Sequence, residues 1–155
     1  MQMIATLGLI AMLAGQHTPS AANVEQLTKQ FQDLETRLMG AAQNKQSDAE
    51  ADMVAPDFAW SVSFRGERNQ VMSRSEWMKG GQNYDLNHFQ VAMLTAQKFD
   101  NNVIVQFRLT ADAKANPNVD LSGEYVITDL WRAKGSAWQL ARRWVARDVT
   151  KPKAE

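Results

Sequence analysis

The apolar residues Val24, Leu27, Phe31, Leu34 and Leu38 recur every third or fourth position, which places them on one stripe of a helix. Asn23 with Gln26 can cap its start, and Gly40 marks its end. A second capping pair, Ser47 with Glu50, opens a short helix carrying Met53 and Val54. It must stop before Pro56, because a proline ring disfavours helical backbone in the residue ahead of it. Phe58, Trp60, Val62 and Phe64 then alternate with small or polar residues, the period of a strand with one apolar face. A third Ser-x-x-Glu pair, Ser73 and Glu76, predicts a short helix with Trp77 and Met78 that ends at Gly80-Gly81.

The second half is strand-rich. Residues 88–99 and 103–110 flank Asp100-Asn101-Asn102, residue types that tolerate positive φ and suit a tight hairpin turn. Tyr84-Asp85 precedes this pair as a loop that could line the mouth of a cavity. Asn116-Pro117-Asn118 breaks the chain into a loop, and residues 123–133 and 137–147 form a second hairpin around Lys134-Gly135. Helices first and antiparallel strands afterwards predict an α+β domain, with the N-terminal helices packed on a strongly curved antiparallel sheet. That single domain is expected over residues 23–149, followed by a polar tail from 150 to 155 that frays.

Residues 1–22 carry no charged side chain, and the apolar run from Ile4 to Ala14 is too short to span a bilayer. It has the form of a secretory signal whose small residues, Ser20-Ala21-Ala22, lead to a mature start at Asn23, although no basic residue precedes the run. A periplasmic or secreted protein is expected. "LAGQ" has Gln16 where a lipidated cysteine would stand, so no lipid anchor is predicted. The 155 residues hold no cysteine, which excludes a disulfide framework, a thiolate nucleophile and a cysteine zinc site. Lys plus Arg and Asp plus Glu number 17 each and are scattered, so nucleic acid is not an expected partner. No glycine-rich phosphate loop and no cofactor motif is present.

Three segments carry a resemblance. They are Met53-Val54-Ala55-Pro56-Asp57-Phe58-Ala59-Trp60, then Ser73-Arg74-Ser75-Glu76-Trp77, and Gly123 through Thr128-Asp129-Leu130-Trp131 with Gly135, Trp138, Leu140 and Arg143. In this order and spacing the chain resembles the nuclear transport factor 2-like superfamily, in particular a small bacterial branch of unassigned function related to polyketide-cyclase-like (SnoaL-like) and ketosteroid-isomerase-like proteins. The resemblance covers most of residues 24–147. It implies a cone: a bent sheet wrapped over helices, an apolar cavity open at the wide end, and commonly a homodimer. Isomerases, cyclases, dehydratases and binding modules share that fold, so the fold does not assign chemistry.

Asp129 is the conspicuous residue, because it shares strand parity with Tyr125, Ile127 and Trp131. With Lys134-Gly135 as a two-residue loop, Trp131 faces Trp138, Asp129 faces Leu140, and Arg142 lies diagonal to Asp129 at about 7 to 8 Å between backbones. A bulge or a longer loop would flip the parity and offer Arg143. An arginine partner makes Asp129 half of a structural or ligand-orienting ion pair. Left unpaired in an apolar pocket, it would be a general base. His88, the one histidine beyond the leader, is the other acid/base candidate, and a lone histidine cannot build a metal centre. Asp57, after Pro56, suits an Asx turn at a helix-to-strand corner. Trp60, Trp77, Trp131, Trp138 and Trp144 fill a core or line a cavity. The candidate ligand-binding set is Trp60, Trp77, Tyr84, Tyr125, Trp131 and Arg142. Isomerase-like enzymes combine a base aspartate with a tyrosine and a protonated aspartic acid. With only Tyr84 and Tyr125, and no tyrosine in "QFQDLETRL", this chain does not show that full set. The leading expectation is a dimeric, exported domain that binds a small apolar or amphipathic molecule without chemistry, with an Asp129 or His88 enzyme and a dimeric interaction module as alternatives.

Overall fold

The computed structural model describes residues 21–63, 70–115 and 119–147. In chain order the elements are α1 (Ala21–Gln43), α2 (Ser47–Met53), β1 (Val54–Ser63), β2 (Gln70–Ser73), α3 (Arg74–Gln82), β3 (Tyr84–Phe99), β4 (Asn102–Ala115), β5 (Val119–Asp120), β6 (Gly123–Lys134) and β7 (Ala137–Arg147). The strands form one sheet in the order β2-β1-β7-β6-β4-β3, with β5 on β4. The α+β class is as expected, but the sheet is mixed rather than antiparallel, because β1 runs parallel to β7. Hairpins, which are necessarily antiparallel, are visible to local pattern. A pairing between the first and last strands is not.

Two register shifts along β3, one in β7 and one along β1 break the ladders. Bulges of this kind bend and twist a strand, and here they curve the sheet. At the second β3 bulge Met93 sits at φ 52, and its side chain stays exposed. On the concave face α1 lies against β3, where Gln32 Nε2 donates to Val91 O at 3.3 Å and Gln43 Nε2 donates to Asn87 O at 2.8 Å. The core between them holds Phe31 and Leu38 from α1, Val103, Val105 and Phe107 from β4, Ile127 and Trp131 from β6, and Leu140 from β7. Phe31 meets Trp131 and Trp138 edge-on, at 6.0 and 5.2 Å between ring centroids.

Caps divide the local expectations. Ser73 does close a capping box on α3: Glu76 N donates to Ser73 Oγ at 3.4 Å and Ser73 N donates to Glu76 Oε2 at 2.8 Å. Gly80 and Gly81 do not end that helix, which runs on to Gln82. The other two boxes are absent. Asn23 lies inside α1, which continues past Gly40, and α2 starts from Gln46 without a side-chain cap. Its Glu50 is buried instead, and Val54 already belongs to β1. Tyr84-Asp85 opens β3 rather than a loop. Phe64, the 116–118 loop, the leader up to residue 20 and the tail from residue 148 lie outside the described residues.

A buried ion network and the cavity beside it

The hairpin between β6 and β7 turns at Gly135-Ser136, one residue later than predicted, with Gly135 at φ 61 as the turn requires. Trp131 therefore faces Leu140. One residue further the register slips, Leu130 pairing with Arg142 and Asp129 with Arg143. Ala141 is the extra residue, and it is buried next to buried Leu140, as a bulge rather than an alternating strand permits. The slip turns Arg143 inward. Its Nε donates to Asp129 Oδ1 at 3.0 Å and Oδ2 at 3.1 Å, and its Nη2 donates to Asp129 Oδ2 at 2.5 Å.

A second carboxylate completes the network. Glu35 of α1 accepts from Arg143 Nη2 at 2.8 Å and from Trp131 Nε1 at 2.7 Å. Glu35 and Asp129 are both 0% exposed. Sequence reasoning missed Glu35, although a signal was present: it stands four residues after Phe31 and three before Leu38, on the apolar stripe itself. Two carboxylates and one guanidinium, all removed from water, would leave an uncompensated negative charge. Burial, reinforced by repulsion from Asp129, holds the Glu35 carboxyl well above its usual range. The two carboxylates in turn hold the Arg143 guanidinium above its already high value, despite its burial. Arg143 Nη1 has only the Met39 thioether, at 3.8 Å, which leaves it the one weakly satisfied nitrogen of the fork.

Arg143 forms part of the wall of a cavity of about 470 Å³ between the helices and the concave sheet. That volume suits a small organic molecule. Indole and phenol rings of Trp60, Trp77, Tyr84 and Tyr125 line it, with methionines and aliphatic residues between them. Phe58 packs behind Trp77 at 5.2 Å between ring centroids. Burial pushes the Tyr84 phenol up to about 12. The Tyr125 hydroxyl is raised less, again by burial, and donates to Leu121 O. Glu50 of α2 also lines the cavity; burial raises its carboxyl, and the Arg143 charge pulls it part of the way back.

Of the six predicted ligand-binding residues, Trp60, Trp77, Tyr84 and Tyr125 come together on this wall. Trp131 does not. It is 0% exposed, spent on the Phe31 contact and the Glu35 hydrogen bond. Arg142 does not either, because the bulge turns it away to donate to Ala141 O at 2.7 Å and to Asp57 O. Asp57 lies in β1, not in an Asx turn, and pairs with Arg132 at 3.2 Å. Asp129 is sealed behind Arg143, while His88 is exposed on β3, and neither lines the cavity. Trp138 is half-buried against Phe31 and Trp144 is exposed. The charged groups on the wall are Lys45, Glu50, which the sequence reading gave only as a helix cap, and Arg143, the partner that a bulge was expected to offer Asp129. Among the described residues no cluster of acidic or histidine side chains could hold a metal, and no helix is long and apolar enough to cross a membrane.

No family model matches the chain, and no curated protein matches it. Solved structures do. An NTF2-like protein from Cytophaga hutchinsonii superposes with a TM-score of 0.68 at 12% identity, covering 77% of this chain and 96% of that one. A cystatin-like fold protein of unknown function from Nostoc punctiforme gives 0.59 at 14%, covering 86% and 96%. A protein from Catenulispora acidiphila, solved in complex with S-DNPA, gives 0.62 at 17%, covering 80% and 95%. The chain therefore has the NTF2-like, cystatin-like cone fold that its motifs predicted.

Proposed function

We propose that this cone-fold domain binds an apolar or ring-containing small molecule in the cavity lined by Trp60, Trp77, Tyr84 and Tyr125, and that the residues before Asn23 export it to the periplasm or beyond. The observation that carries the reading is a ring-walled hollow of about 470 Å³ with one immobilised guanidinium, Arg143, among its apolar surfaces. Flat rings give a ligand area to bury at little entropic cost, and the few polar groups fix its orientation. That a protein of this fold has been solved in complex with a small molecule supports the same reading. Neither acid/base candidate from the sequence reaches the hollow, which favours binding over proton transfer by Asp129 or His88. The expected homodimer would use the outer face of the sheet, where Ile104 and Trp144 stay exposed at 41% and 44%.

Titration with Nile red, an uncharged apolar dye, tests the binding site. Saturable binding at one dye per chain is expected, weakened about tenfold, or about 1.4 kcal/mol, by Trp60→Ala or Trp77→Ala and untouched by His88→Ala or Arg142→Ala. Binding that ignored both cavity tryptophans and vanished in Trp144→Ala would move the site to the outer sheet. Periplasmic fractionation of the full chain against a chain lacking residues 1–22 tests export, and sedimentation equilibrium of Trp144→Glu tests the dimer face.

A further inference from the structure

We propose that the molecule held in the cavity is an organic amine whose ammonium is recognised by Glu50; the proposal rests on the cavity being a ligand site. Three side chains of charged type line the cavity: Lys45, Glu50 and Arg143. Two of them are already answered. Lys45 Nζ lies 2.6 Å from Asp85 Oδ1, and Arg143 is held by Asp129 and Glu35 at 2.5 and 2.8 Å. Held between Asp129 and Glu35, Arg143 brings no net positive charge to the wall. The Glu50 carboxyl has no hydrogen bond and no ion pair among the described residues, and the residue is only 8% exposed.

A carboxylate in that position is costly, because burial raises it and only the field of Arg143 opposes the rise, with no donor in contact. An ammonium carried in by the ligand supplies both the missing countercharge and the N–H donors a carboxylate accepts. The walls suit the same group, since the faces of Trp60, Trp77 and Tyr84 are negative and attract a cation. An anionic ligand would face Glu50, with Arg143 already paired to Asp129. A neutral ligand would leave Glu50 as it is.

Isothermal titration calorimetry at neutral pH with four probes of one bicyclic body separates these cases: 1-naphthylmethylamine, 1-naphthylmethanol, 1-naphthoate and naphthalene. The amine should bind about tenfold or more tighter than the alcohol, and Glu50→Gln should lower it to the level of the alcohol while leaving the alcohol unchanged. Equal binding of all four, tightest binding by the naphthoate, or a preference for the amine that survives Glu50→Gln overturns the amine assignment and leaves the cavity reading standing. If none of the four binds, both fall. Should Glu50→Gln not fold, the ranking on the unmodified chain decides alone.

Discussion

Replacing Arg143 with methionine keeps an unbranched side chain of similar reach but removes the only cation among the described residues in contact with Glu35 and Asp129. Asp129 then loses every hydrogen bond the guanidinium makes to it while remaining 0% exposed. Breaking a buried pair from one side typically costs about 3–5 kcal/mol, because the remaining charge is stranded out of water. At this chain length about 2–4 °C accompanies each kcal/mol, so a loss of roughly 6–20 °C in Tm is expected. Urea unfolding at several pH values is the assay, read as a lower midpoint at unchanged slope. The Glu35 carboxyl already lies above its usual range, so the penalty of stranding it grows as pH rises and shrinks in acid. Arg143→Met should therefore approach the parent as pH falls toward 4.5. A triple variant, Arg143→Met with Asp129→Leu and Glu35→Gln, removes both stranded charges and leaves Trp131 Nε1 an amide oxygen to bond. It should recover most of the loss. A single variant costing under about 1 kcal/mol, or a triple no more stable than the single, would refute the claim that charge rather than packing dominates here.

Three further outcomes follow from the same geometry. The Glu35 carboxyl is raised from 4.5, so the folded chain holds a proton that the unfolded chain releases, and its contribution is full below 4.5 and lost as pH rises through the folded value; Glu35→Leu should flatten that part of a stability-versus-pH curve measured by urea melts. Tyr84 titrates at about 12 against 10.0 unfolded, so its contribution is intact below 10.0 and disappears as pH climbs toward 12. Ultraviolet titration of the folded protein should show a late phenol that is missing in Tyr84→Phe. Ser73→Ala removes the acceptor for Glu76 N at the start of α3 and should cost about 1 kcal/mol in a urea melt, with Ser73→Gly costing less.

Local chemistry in the chain determined what short-range physics can decide. The stripe from Leu27 to Leu38 set the buried face of α1, since spacing on a helix is fixed by its pitch. Ser73 and Glu76 set the start of α3, because a capping box involves only its own four residues. Alternation and turn residues set the hairpins of β3 with β4 and of β6 with β7, and three motifs in order pointed to the cone fold that the solved structures share. The same local signals failed at Asn23 and Ser47, where a capping pair is present but the helix start or the burial of Glu50 wins.

Tertiary structure decided the rest. A single inserted residue, Ala141, chose Arg143 over Arg142 as the partner of Asp129, and bulge position depends on how the whole sheet bends, not on the strand alone. The meeting of Glu35 with Trp131 spans 96 residues: its place on the apolar stripe marks Glu35 as buried, but nothing within either segment names its partner. Trp131 shares its parity with Tyr125, yet one ring lies in the core against Phe31 and Glu35 of α1 and the other on the cavity wall. Glu50 acquired its role in the same way: α2 turns it under the sheet, where it lies against the cavity and the field of Arg143.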